Sequence, residues 1–183
     1  MSKVLLLSLL FGIIATMGIG SAYAASADYF LKIEGVDGES TDDKHKGEIQ
    51  IESWSWGASN SGSMSMGSGG GAGKASFQDF HFVHQVDKSS PMLFQALATG
   101  EHLKQVALTV RKSGGEQTTY LTYTFTDVLI TSLSASGNSG DPAPTEQISL
   151  NFSKIEMEYK PMNAAGTVDT PIKASWNLKE NTR

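Results

Sequence analysis

Apolar residues in this chain recur at every second position, in short runs separated by Gly, Pro, Asn and Asp. Val106, Leu108 and Val110 alternate with other residues, as do Leu121, Tyr123 and Phe125, then Ile148, Leu150 and Phe152, then Ile155, Met157 and Tyr159. A period of two belongs to a strand, because successive side chains leave opposite faces of the pleat. The pattern predicts strands over 29–36, 48–56 and 76–86, through the runs just named, over 128–133 after Asp127, and at a closing segment around Trp176 and Leu178. Many short strands with turn signals such as Gly114-Gly115 predict a small barrel or sandwich.

One stretch breaks the alternation. Ser90 suits an N-cap, Pro91 the first turn, and Gly100 the stop, while Leu93, Phe94 and Leu97 repeat at helical spacing. This predicts one helix over about 90–99. In the strand over 48–56, Trp54 and Trp56 share one face and Ser53 and Ser55 the other, which sends the Trp pair to the core and the Ser pair to a polar surface. The extended loop over about 58–74 is Ser, Gly and Met; a loop that long inside a domain is usually functional, and Met64 and Met66 offer adaptable contacts.

The first 24 residues stand apart. Lys3, the apolar run from Val4 to Ile19 and the small residues of Ala22-Tyr23-Ala24 make a secretory signal peptide, with a single domain over 25–183. There is no cysteine, so neither a disulfide nor a thiol site is available. A net charge of -5 without clustered Lys or Arg speaks against a nucleic-acid partner.

Apparent chemical motifs fail on spacing. The glycine run ending in Gly73-Lys74 has Ser68 where a phosphate loop needs its first Gly, and Ala75 where it needs Ser or Thr. Gly62-Ser63-Met64-Ser65-Met66-Gly67 does not centre a Ser as a nucleophile elbow does. His81 and His84 fall on opposite strand faces and read as a surface or interface pair; His45 and His102 lie in polar contexts with no visible carboxylate partner. Glu156 and Glu158 read as solvated strand carboxylates. No catalytic, metal or cofactor residue is expected.

Asp28-Tyr29-Phe30-Leu31-Lys32-Ile33, Gly38-Glu39-Ser40, Trp54-Ser55-Trp56-Gly57, the loop from Ser61 to Lys74, Asp87-Lys88-Ser89-Ser90-Pro91, Arg111-Lys112-Ser113-Gly114-Gly115, Leu150-Asn151-Phe152 and Trp176-Asn177 follow one another in an order that resembles the haemolysin-coregulated protein (Hcp) family, the tube subunits of type VI secretion systems. The resemblance implies a mainly β fold, a closed barrel of two sheets with one flanking helix. It implies homo-hexameric rings that stack into secreted tubes and are not enzymes. A sheath, a spike-tip protein and small effectors carried in the lumen are the implied partners. It makes Ser61, Gly62, Ser63, Met64, Met66, Gly67, Gly70 and Lys74 subunit-interface residues, and Ser53 and Ser55 lumen candidates. Nothing beyond Trp176 and Leu178 leaves room for a fused effector domain, and the mature domain is not expected to insert in a membrane. Family members assemble in the cytoplasm without a leader. The leader therefore leaves three readings open: an exported relative outside a contractile system, a true start at Met17 or later, or a retained anchor. A glycan-binding sandwich is the competing class, and buried Trp54 and Trp56 would deny it an aromatic platform.

Overall fold

A computed structural model describes residues 26–60, 74–113, 117–163 and 168–183. Its strands are β1 (Ala27–Ile33), β2 (Ile49–Ser55), β3 (Ala58–Asn60), β4 (Ala75–Phe77), β5 (Phe80–Gln85), β6 (His102–Lys112), β7 (Thr119–Ser136), β8 (Thr145–Tyr159) and β9 (Ile172–Asn177), with one helix, α1 (Ser90–Thr99), between β5 and β6. The mainly β fold expected from the alternation is present. The order β5-β2-β1-β6-β7-β8 returns on itself because β5 also pairs with β8, closing a six-stranded barrel. The long β8 serves two neighbours on one side: its first half, 145–150, holds β5, and its second half, 154–159, holds β9.

Several boundaries differ from the sequence reading. β1 stops at Ile33 because Gly35, at φ 85, turns the chain so that Val36 bridges back to Ile33. Of the loop expected over 58–74, residues 58–60 instead form β3, which pairs with β4 as a two-stranded ribbon, and 61–73 lie outside the described residues. The strand expected over 76–86 is interrupted at Gln78 and Asp79. The run at 128–133, expected to continue or follow the one at 121–125, continues it as β7, and the runs at 148–152 and 155–159 are the single strand β8. The Gly114-Gly115 turn lies outside the described residues.

β7 and β8 stay continuous by turning over. In β7 the buried side chains are Tyr123 and Phe125, then Val128 and Ile130; in β8 they are Ile148, Leu150 and Phe152, then Ile155. Both strands change parity at the same level, around Asp127 and Ser153, so the inward face remains apolar on either side of the corner. Asp127 takes a left-handed φ of 53, unusual for a non-glycine residue. Its carboxylate accepts bonds from Ser153 Oγ at 2.9 Å, from His102 Nδ1 at 2.7 Å and from Lys179 Nζ. These partners, Lys179 foremost, hold the Asp127 carboxyl far below the ordinary carboxylate range. His102 thus has the carboxylate partner that its sequence context did not reveal.

α1 buries Leu93 and Ala96 and packs on β7. Phe94, grouped by spacing with the buried face, is 62% exposed instead. The cap position is Ser89, one residue before the expected Ser90, and its hydroxyl goes to Asp87 instead of to the helix. Gly100 ends the helix at φ 68, as its position predicted.

A buried cation ties the barrel to the 34–48 connection. Arg111, 2% exposed on β6, donates to Asp42 at 2.7 and 2.9 Å and to Asp28 at 3.2 Å. Its guanidinium lies 4.8 Å from the centre of the Phe30 ring, which stacks at 4.3 Å on His45. His45 in turn is held by Glu48 at 2.8 Å. The hydrogen bonds from Arg111 draw the Asp42 carboxyl from an ordinary 3.8 down to about 2. A carboxyl lowered on folding contributes stability above its unfolded value and loses it as the pH falls through the folded one. Arg111→Met is therefore expected to melt below the native protein near neutral pH, with the gap narrowing as the pH falls from about 4 toward about 2. Melting temperatures across that range check this; a gap independent of pH would contradict it.

Candidate functional site

The barrel presents one broad polar face, and cross-strand register defines it. β2 runs with Ile49 and Ile51 inward until a bulge at Glu52, where the pairing to β5 slips by one residue. Such an insertion re-aims the side chains that follow. Ser53 and Ser55 therefore point outward, and Trp54 and Trp56 pack half-buried against the core. Without the bulge, Ile49, Ile51, Ser53 and Ser55 would share one face.

From β2 the register continues across β5, β8 and the second half of β7. One outward row reads Ser55, His81, Ser149, Ser132; the next reads Ser53, Val83, Gln147, Ser134. Gln85, Thr145 and Ser136 lie on a third row. Behind them the inward rows read Trp54, Phe82, Ile148, Leu133 and Phe80, Leu150, Ile130. The result is a four-stranded wall, mostly small and polar outside apart from Val83 and His81, and mostly aromatic and aliphatic inside apart from the buried pair His84 and Glu146. His81 Nδ1 is 2.8 Å from Ser149 Oγ. The wall's carboxylates sit at its ends: Glu52 accepts from Gln85 at 3.1 Å, and Asp79 accepts from Thr131 at 2.6 Å and Asn151 at 2.8 Å.

Both outer edges of this wall are open among the described residues. β2 pairs with β1 only through Ile49–Ile51, which leaves 52–55 bonded on one side alone. β7 pairs with β6 no further than Leu129, so 132–136 has β8 as its one neighbour. Open edges carry unpaired N–H and C=O groups that can accept another strand.

Of the residues singled out in the sequence, Ser53 and Ser55 lie side by side on the wall, and Lys74 is exposed where the chain enters β4. Ser61, Gly62, Ser63, Met64, Met66, Gly67 and Gly70 lie outside the described residues. His81, read from the sequence as a surface or interface residue, lies on the wall; the sequence reading missed Gln147, Ser149, Ser132 and Ser134, although Ser132-x-Ser134-x-Ser136 and Gln147-x-Ser149-x-Asn151 carry a period-two polar signal. His84 is not on the surface: it is fully buried. Glu158 is paired with Lys173 and Lys160, which lower its carboxyl, and Glu156 lies 3.9 Å from Lys154. Among the described residues no three His, Cys, Asp or Glu converge to hold a metal, and no helix is long and apolar enough to cross a membrane.

Residues 30–159 match the family model described as type VI secretion system effector, Hcp. The chain is 48% identical over 160 residues to protein hcp1 of Pseudomonas aeruginosa, covering 86% of this chain and 99% of the relative. Among solved structures it is similar to Hcp1 from Salmonella typhimurium, at 38% identity and a TM-score of 0.70, over 86% of this chain and 99% of the other. It is also similar to a structure described as a type six secretion system protein, at 31% identity and a TM-score of 0.81, with the same coverage.

The inward and outward rows make opposite demands on stability. Phe82→Ala, at a side chain 1% exposed, is expected to cost about 3–5 kcal/mol. Ser134→Ala on the exposed wall is expected to change stability by less than about 0.5 kcal/mol. Urea unfolding of the two variants checks the assignment of the faces.

Proposed function

This chain belongs to the Hcp family of type VI secretion proteins, and from that premise we propose that it is a structural subunit of a hexameric ring whose rings stack into a tube. The observation that carries the reading is the polar wall with an open edge at each end. The two edges, 52–55 on β2 and 132–136 on β7, are different surfaces, so pairing one with the other between copies is a head-to-tail contact. Head-to-tail contacts generate a closed ring when the rotation between copies suits. Repeated around such a ring, the wall becomes a lumen lining mainly of hydroxyl and amide groups, with His81 and Val83 among them. Ser53 and Ser55 then face the lumen, where small effectors are held, and the tube acts by enclosing and delivering them, with no bond-making step.

The segment from Ser61 to Lys74, between β3 and β4 in the chain, is proposed as the arm that contacts neighbouring subunits. Ordering so glycine-rich a segment costs about 1–2 kcal/mol of backbone entropy per residue, which makes stacking weak and concentration-dependent. A second reading is an exported subunit whose leader over 1–24 is cleaved after Ala24, with the tube assembling beyond the inner membrane.

Two variants separate the roles. Ser55→Glu is expected to keep rings intact by native mass spectrometry while losing a co-expressed effector; loss of the rings themselves would show that Ser55 lies in a contact and not on the lumen. Deleting 61–73 is expected to leave a folded subunit that no longer stacks; normal tubes in electron micrographs would remove the arm from assembly.

A further inference from the structure

His84 occupies the strand that closes the barrel. It stands opposite Glu146 on β8, and its β2 neighbour is Ile51. The side chain has no exposure to solvent, and the Phe82 ring lies 5.6 Å away. Nε2 is 3.3 Å from Glu146 Oε2 and Nδ1 is 3.9 Å from Asp87 Oδ1, yet neither nitrogen makes a hydrogen bond, nor does Glu146 Oε2. Buried polar atoms left in this way are costly and rare.

Asp87 is not free to turn toward the imidazole. Its Oδ1 accepts from the Ser89 N–H at 2.8 Å and from the Ser89 hydroxyl, and its Oδ2 accepts from the Glu39 N–H at 3.2 Å. Lys88 N–H closes the same joint by donating to Glu39 Oε1 at 3.2 Å. On the β2 side the nearest carboxylate by sequence, Glu52, is engaged with Gln85. The ionisable groups facing His84 are therefore Glu146 from β8 and Asp87 from the β5–α1 connection. Asp87 also lines a surface hollow of about 490 Å³, which brings solvent protons close to the ring.

We propose that His84 is an acid-operated latch on the β5–β8 seam: the neutral ring packs with the seam closed, and its protonation loosens β5 from β8 and so disturbs the middle of the polar wall. Burial, the largest influence, holds the imidazole below its ordinary 6.5 against the pull of Asp87 and Glu146. A histidine lowered on folding contributes stability that is complete above 6.5 and is lost as the pH falls through its folded value. The Asp42 carboxyl acts lower, between 3.8 and about 2, so the two effects separate along the pH axis.

The test reads the folded chain itself, whether or not rings form, so its failure leaves the ring proposal standing. Melting temperature and amide hydrogen exchange are compared at about pH 7.5 and about pH 5, on either side of the usual histidine range. The native protein is expected to lose melting temperature on acidification, with the protection factors over 80–85 and 145–150, corrected for the intrinsic pH dependence of exchange, lowered. His84→Gln is expected to remove that dependence. Glu146→Gln takes away a carboxylate that favours the charged ring, and is expected to move the transition to lower pH even if His84→Gln does not fold. A flat native profile, an equal acid loss in His84→Gln, or an unmoved transition in Glu146→Gln would each overturn the latch.

Discussion

Two strands belong to both sides of the barrel, and both have to change faces at one level. β7 and β8 run from the polar wall into the part of the barrel that carries β6 and β9. A strand that kept strict alternation along that path would carry its apolar face out of the core. Asp127 and Ser153 mark the level at which this is avoided. The left-handed backbone at Asp127 costs about 1–2 kcal/mol, and the bonds to Ser153, His102 and Lys179 offset it. Lys179 follows β9, and Leu178 N–H donates to Ser153 O at 2.8 Å, so the last strand locks the corner that the two long strands make. The cluster resembles a catalytic arrangement in composition alone: Ser153 donates to the aspartate, and the histidine is bonded to that same aspartate.

A second fastening works on the other side of the molecule with the same economy of parts. Arg111, Phe30, His45 and Glu48 stack in series, with Asp28 and Asp42 on the guanidinium. Removing one member of a buried charge group usually costs more than the pair contributes, because a charge is left without its partner. The 34–48 connection is thus held as a defined element although it contains no strand. It delivers β2 to the wall in the register that the Glu52 bulge then adjusts. Wall, corner and clamp are mechanically linked through the same few strands.

Much of this was legible in the residues. The period-two runs predicted a mainly β fold, Gly100 marked the end of α1, and Trp54-Ser55-Trp56 divided β2 into a core face and a polar face. Those signals are local, since each depends on neighbours within a few positions. Legibility failed where distant strands decide the environment. Phe94 has helical spacing but lies on the outer side, because Ala96 and Leu93 are the residues that meet the barrel. His84 looks like any polar residue on a strand until β8 covers it. The carboxylate partners of His45 and His102 stand three and 25 residues away, the first across a turn and the second on the neighbouring strand.

The alternation and the motifs by themselves determined the class of fold, the helix, the family resemblance and the opposed faces of β2, because strand periodicity and turn chemistry are written in consecutive residues. Tertiary structure alone decided which polar residues make one wall. Ser55 and Ser132 share a row through two intervening strands and two bulges, at Glu52 and Thr131. Each bulge shifts register by one residue, and a shift of one exchanges the faces of everything beyond it. No local pattern encodes the sum of such shifts; it emerges when the strands pair and the barrel closes.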